Sequence, residues 1–112
     1  IIMAGFSQGG VIALHTGLRY PKRLGGVLAL STYLPTIAQL SQEAASENLA
    51  LPIFMAHGVA DPVVPIELAI KVRDSLLDLH YPVQWHQYPM QHSVCIQEVE
   101  HISAFISTIF NK

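Results

Sequence analysis

Cysteine occurs once in this chain, at Cys95, and a lone thiol can build neither an intrachain disulfide nor a thiolate metal cluster. Such usage fits a reducing compartment, and a cytoplasmic location is the expectation. Charge is equally sparse. The cations Arg19, Lys22, Arg23, Lys71, Arg73 and Lys112 are scattered along a chain of net charge -2. No basic stripe follows from them, and no nucleic-acid partner is expected. No apolar run approaches the roughly 20 residues needed to cross a bilayer, so no membrane span is expected. The first residues also lack the charged region and cleavage pattern of a secretory signal. Internal repeats and low-complexity tracts are missing as well.

What the chain does have is apolar residues, which make up 51% of it. With a mean hydropathy of +0.38, that is high for 112 residues, because a small protein exposes a large share of its surface. Strands covered on both faces by helices would account for it. The opening Ile1-Ile2, with neither methionine nor polar lead, reads as a central strand already under way. The expectation is a partial domain over residues 1–112, the C-terminal part of a longer protein with its N-terminal half absent.

Periodicity gives strand followed by helix four times. Residues 1–4 form a short apolar run. Residues 8–19 then carry Val11, Ile12, Leu14 and Leu18 on a nearly all-apolar helix, ended by Tyr20-Pro21. A strand is predicted over 26–30, a weaker alanine-rich helix over 36–48, and a third strand over 52–56. Leu34-Pro35 reads as a loop able to hang over a site. In 66–79, Ala69, Val72, Leu76 and Leu79 recur at three- and four-residue intervals and predict one buried stripe. Val83, Trp85 and Tyr88 suggest a fourth strand between Pro82 and Pro89. A last helix over 96–110 has Val99, Ile102, Ile106 and Ile109 as its stripe, widened by Phe105 and Phe110. This order predicts an α/β fold, with a mostly parallel sheet sandwiched between helices.

Gly5-Phe6-Ser7-Gln8-Gly9 lies between the first strand and the first helix, where a Gly-x-Ser-x-Gly segment lifts a serine hydroxyl above the sheet on a sharp turn. Small residues at 5 and 9 would let the chain double back, and the new helix directs its positive end at Ser7. Reactive groups in a parallel sheet gather at the C-terminal strand ends. Asp61 follows the third strand and His92 the fourth, so both can meet Ser7. A serine hydroxyl needs an imidazole to take its proton during attack; His92 would do so, and Asp61 would hold the other ring nitrogen. The Gln8 backbone N–H is the first candidate donor to the oxyanion, and a second belongs after an earlier strand that this chain does not contain.

Each residue has a plainer role open to it. Asp61 before Pro62 suits a turn or a helix cap, and Ser93 beside His92 suits a cap of the last helix. All three plain roles would have to coincide at three strand ends, in the order Ser, Asp, His. His57 is read as a ring bonded to backbone, shaping the turn that carries Asp61. His15, His80, His86 and His101 are read as satisfied or solvent-exposed. A metal site from His57, Asp61, His86 and His92 has no compact ligand spacing, so no metal ion or cofactor is expected. Cys95 is read as a small packing residue.

Four linked segments carry a family resemblance: Gly5-Phe6-Ser7-Gln8-Gly9-Gly10, Leu30-Ser31-Thr32-Tyr33-Leu34-Pro35, His57-Gly58 with Asp61-Pro62-Val63-Val64-Pro65, and Tyr88-Pro89-Met90 with His92-Ser93-Val94. Through them the chain resembles the carboxylesterase/acyl-protein thioesterase branch of the α/β-hydrolases. The resemblance implies an eight-stranded sheet of which this is the last four strands. It implies Ser7, His92 and Asp61 as nucleophile, base and orienting acid, Gln8 at the oxyanion, and Leu34 and Pro35 near an acyl channel. The implied substrate is a small carboxylic ester or an acyl thioester, cleaved without cofactor. Thioesterase or lysophospholipase chemistry stays open beside esterase chemistry. So does an inactive half-domain that self-associates, as a homodimer or with a complementary N-terminal half.

Overall fold

The computed structural model describes residues 1–111. Four parallel strands, β1 (Ile2–Phe6), β2 (Gly26–Leu30), β3 (Ile53–Gly58) and β4 (Val83–Tyr88), lie side by side in chain order. They alternate with α1 (Gln8–Arg19), a single turn α2 (Leu40–Glu43), α3 (Ile66–Asp78) and α4 (Ile96–Phe110). A parallel sheet with helices on both faces is the α/β architecture that the sequence predicts.

Sequential strand order decides which face each connection covers. Right-handed crossovers that always step in one direction put every intervening helix on the same side of the sheet. The side chains obey this rule. Val27, Ala29, Ile53 and Met55 point to one face, where Leu14 and Leu18 of α1, Leu34 and Leu40 of the connecting segment, and Val72 and Leu76 of α3 close over them. Their neighbours Leu28, Phe54 and Ala56 point to the other face, under Phe105, Ile102 and Ile106 of α4. β2 and β3 are therefore covered on both sides, which is why they read as unbroken apolar runs.

Several expectations shift. The predicted helix over 36–48 is a run of short pieces: 3-10 turns at Ile37–Gln39 and Ser46–Asn48 on either side of α2. Its core contact comes through Leu40, and Asn48 replaces helical bonding by accepting from Leu24 N–H and donating to the Tyr20 and Lys22 carbonyls. On β4, Tyr88 falls on the opposite face from Val83 and Trp85, because strand side chains alternate with period two. The stripe of α4 holds at Ile102, Phe105, Ile106 and Ile109, which pack on the core, and fails at its ends: Val99 is 54% exposed and Phe110 is exposed, while Glu98 is buried. On α1, Ile12 is 66% exposed, so that helix is not covered on most sides as its composition suggests.

Candidate active site

The register sets up the site. Phe6 pairs with Leu30, Leu30 with Ala56, and Ala56 with His86, so one row crosses the whole sheet near its C-terminal edge. With strands roughly 4.8 Å apart, the ends of β1 and β4 are separated by about 14 Å. A side chain following β4 meets one following β1 only if its loop travels back across the edge. Loop 89–95 does so.

Ser7 is the residue between β1 and α1, and its backbone is held at φ 59°, ψ -119°. A non-glycine residue in this sparsely populated region costs on the order of 1–3 kcal/mol, so the surroundings must enforce it. Ser7 N–H donates to Leu30 O at 2.9 Å, while Ser7 O accepts from Gly10 N–H at 3.0 Å and from the Thr32 hydroxyl at 2.6 Å. Ser7 is the N-cap of α1, a position where serine usually bonds the helix's own N–H groups. Here it makes no such bond. Its Oγ turns instead to His92 Nε2, 3.0 Å away.

The glycines around this turn are present for space. None of the glycines has positive φ. At Gly5 a Cβ would collide with the Gly9 carbonyl and the Gly10 N, and at Gly10 it would run into the Thr32 side chain. At Gly9 it would meet nothing within 4 Å. The expected requirement for small residues at 5 and 9 thus holds at 5 and moves from 9 to 10, because the neighbour that presses on the helix is Thr32 after β2.

Asp61 keeps both of the roles open to it. Oδ1 accepts the N–H groups of Val63 and Val64 at 2.8 and 2.9 Å, a turn built around the side chain, and Oδ2 accepts from His92 Nδ1 at 2.7 Å. The carboxyl group is fully buried. Burial pushes its pKa up, but the Val64 and Val63 N–H groups and the His92 ring more than offset this, leaving it below its ordinary value. It is a carboxylate, which only accepts. His92 Nδ1 therefore carries hydrogen, and in the tautomer protonated there alone Nε2 presents a lone pair to the Ser7 hydroxyl. The His92 ring also packs on Phe6, with centroids 4.7 Å apart.

His57 is fully buried and stands where the sequence put it. Its Nε2 lies 2.7 Å from Val64 O, which can only accept, and 3.5 Å from Asp61 Oδ2. It braces the turn that aims Asp61. Gln8 opens α1, where the first N–H groups have no partner inside the helix. Of the two expected channel residues, Pro35 lines an open groove of about 800 Å³ with Phe6, Ser7, Gln8, Val11, Ile12, Tyr33, Val63 and Val64. Leu34 does not. It is 2% exposed and belongs to the core under α1, and Tyr33 takes its place at the groove.

Other residues are set apart from this arrangement. His86 stacks on His101 at 4.2 Å and on Phe54, and so stands outside the conceived metal set; among the described residues no group of three or more His, Cys, Asp or Glu is placed to hold a metal ion. Ser93 does not cap α4, whose N-cap is Cys95. Thr32 and Glu98 were not singled out by the sequence. Thr32 stands in the recognised Leu30-Ser31-Thr32 segment, and Glu98 three residues after the cap of α4 fits the spacing of a capping box.

Residues 1–110 match the phospholipase/carboxylesterase family. Acyl-protein thioesterase 1 of Mycosarcoma maydis is 42% identical over 114 residues, covering 97% of this chain and 48% of that protein. Acyl-protein thioesterase 1 of Neurospora crassa is 41% identical over 110 residues, covering 96% and 45%. The chain therefore spans about half the length of the curated relatives it matches. Among solved structures, esterase PE8 superposes with a TM-score of 0.89 at 32% identity over 96% of this chain and 49% of that one. Arabidopsis thaliana SOBER1 does so with a TM-score of 0.90 at 30% identity, over 97% and 52%. Since the match takes in all three strand-end loops together with the sheet that aligns them, the chain belongs to the phospholipase/carboxylesterase family of α/β-hydrolases.

Proposed function

We propose that this chain carries the catalytic residues of a serine hydrolase that cleaves carboxylic esters through an acyl-enzyme. The observation that supports it most is the unbroken relay of 3.0 Å from Ser7 Oγ to His92 Nε2 and 2.7 Å from His92 Nδ1 to Asp61. Ser7 Oγ attacks the ester carbonyl carbon as its proton passes to His92 Nε2. The carbonyl oxygen becomes an oxyanion facing the Gln8 N–H at the positive end of α1. Collapse breaks the bond to the leaving oxygen, which takes the proton back from His92. A water molecule then attacks the acyl-serine, giving one proton to His92, and collapse releases the acid as His92 returns that proton to Ser7 Oγ. Asp61 stabilises the imidazolium in both halves.

Thioesters are the second reading, favoured by the relatives' name, acyl-protein thioesterase 1, and by the apolar groove beside Ser7. The relay serves either leaving group. Rates on acetyl, octanoyl and palmitoyl esters and thioesters separate the two, since only a long-chain thioesterase prefers the palmitoyl thioester. Residues 1–112 are then part of one α/β-hydrolase domain, and a complementary half or a second copy lies along β1. A cytoplasmic location belongs to the same reading and rests on the single free cysteine.

Labelling with a fluorophosphonate tests the assignment. The full-length protein is expected to label at Ser7 and to lose the label on Ser7→Ala; undiminished labelling in that variant removes Ser7 from the mechanism.

A further inference from the structure

Thr32 is buried, and its hydroxyl lies 2.6 Å from Ser7 O and 3.3 Å from Tyr33 O. Carbonyl oxygens only accept, so the hydroxyl donates, and its single hydrogen goes to the nearer of the two, Ser7 O. Ser7 O already faces Gly10 N–H at 3.0 Å and Val11 N–H at 3.3 Å. With two donors from its own helix, that oxygen does not need a third to offset its burial. Nothing in the relay of Ser7, His92 and Asp61 uses Thr32 either.

The bond bears on the far end of the same peptide unit. Ser7 C=O and Gln8 N–H belong to one planar trans group, so they point in opposite directions and turn together. The angle that turns them is ψ of Ser7, held at -119° in a sparsely populated region. Ser7 C=O points along α1 toward Gly10 and Val11, so Gln8 N–H points out of the N-terminal end of the helix. Among the described residues that N–H has no hydrogen-bond partner. A hydrogen bond at the carbonyl also polarises the unit and makes its N–H a better donor.

Two neighbours bring Thr32 to this place. Ser31, whose N–H donates to Ala56 O at 2.8 Å, has φ 51°, a left-handed turn that takes the chain off the end of β2. Gly10 leaves the space, since a Cβ there would collide with the Thr32 side chain. We propose that Thr32 is a positioning residue for the oxyanion donor: its hydroxyl, bonded to Ser7 O, holds the Ser7-Gln8 peptide plane so that Gln8 N–H meets the oxygen of the tetrahedral intermediate. The proposal rests on the serine-hydrolase reading.

The test compares Thr32→Val, Thr32→Ala and Thr32→Ser in the full-length protein. It measures kcat and KM on a short p-nitrophenyl ester across pH, inhibition by an alkyl trifluoromethyl ketone, and Tm. Ser7 Oγ adds to the ketone carbon as its proton passes to His92, leaving a tetrahedral oxyanion, so the ketone's affinity reads the same donor. Deleting an oxyanion donor outright costs about 10²–10³ in kcat. A donor left in place but poorly aimed is expected to cost about tenfold. Thr32→Val keeps the shape without the hydroxyl: kcat falls about tenfold, KM stays within about twofold, and the ketone binds about tenfold more weakly. Thr32→Ala follows it. The pKa of the kcat/KM profile stays at the wild-type value, because His92 and Asp61 are untouched. Thr32→Ser drops the methyl and keeps the hydroxyl, and is expected to restore kcat to within about threefold. Wild-type kcat in both Thr32→Val and Thr32→Ala overturns the proposal, as does undiminished affinity for the ketone in them. Thr32→Ser being as impaired as Thr32→Val also overturns it, assigning the effect to packing on Gly10, and a displaced profile pKa does so by assigning it to the relay. If Thr32→Val fails to fold, the contrast between Thr32→Ala and Thr32→Ser decides. Ser7→Ala, run in parallel, separates the failures: activity surviving there sinks the serine-hydrolase reading, whereas activity lost there but intact in Thr32→Val and Thr32→Ala sinks only the role of Thr32.

Discussion

Asp61 does two jobs with one carboxylate, and they can be separated. Oδ1 holds the turn through Val63 and Val64, and Oδ2 holds the imidazole. Asp61→Asn keeps an acceptor for the turn but presents an NH2 group to His92 Nδ1, forcing the ring into the wrong tautomer. The expected result is a folded protein of unchanged circular dichroism whose kcat falls by roughly 10⁴; equal rates for variant and wild type would remove Asp61 from the relay. Glu98 makes a pH prediction of the opposite kind. Its pKa is raised above the ordinary 4.5 by burial, so the folded state keeps a proton that the unfolded state releases. The stability this gives is complete below the unfolded value and is lost as pH rises through the folded one. Glu98→Gln has no such loss, so its Tm advantage over wild type should be present at pH 8 and vanish by pH 4. Ser7, Asp61 and His92 were legible in the sequence because each is a reactive type at a strand end. Glu98 was not, since an acidic side chain beside the apolar stripe of α4 gives no local sign that it is buried with that stripe.

At the level of elements, the turn between β1 and α1 and the crossing of β3 under loop 89–95 both depend on missing side chains. Gly58→Ala would drive the Met90 and Gln91 carbonyls away, carrying His92 with them. We expect kcat/KM to fall at least a hundredfold while the sheet remains, read by ester hydrolysis and near-ultraviolet circular dichroism. Gly9→Ala meets nothing and lies inside a helix, where alanine is favoured over glycine by about 1 kcal/mol; a Tm equal to or above wild type is the expected outcome, and a large loss of stability would contradict the packing described. The strands and the three long helices could be read from periodicity and proline. The segment 36–48 could not, because Asn48 organises it through bonds to Leu24, Tyr20 and Lys22 that a local pattern does not encode. The place of Thr32 against Gly10 was hidden for the same reason.

Over the whole molecule, the two faces of the sheet are unequally finished. β2 and β3 are buried, whereas β1 is an edge strand whose own Phe6, and Ile12 of the α1 that follows it, are exposed. An apolar edge with free backbone groups pairs readily with another strand. The 112-residue chain by itself is therefore expected to run larger than a monomer in size-exclusion chromatography, and a cooperatively folding monomer would show that the edge needs no partner. Ile12 and Val11 also line the groove beside Ser7. The central claim is covalent catalysis at one hydroxyl. Acid quenching of the full-length protein during turnover of a slow p-nitrophenyl ester, followed by peptide mass spectrometry, tests it most directly. The account predicts an acyl adduct on the peptide containing Ser7, accumulating with the burst of p-nitrophenol; turnover with no adduct there, or an adduct on another residue, would contradict it.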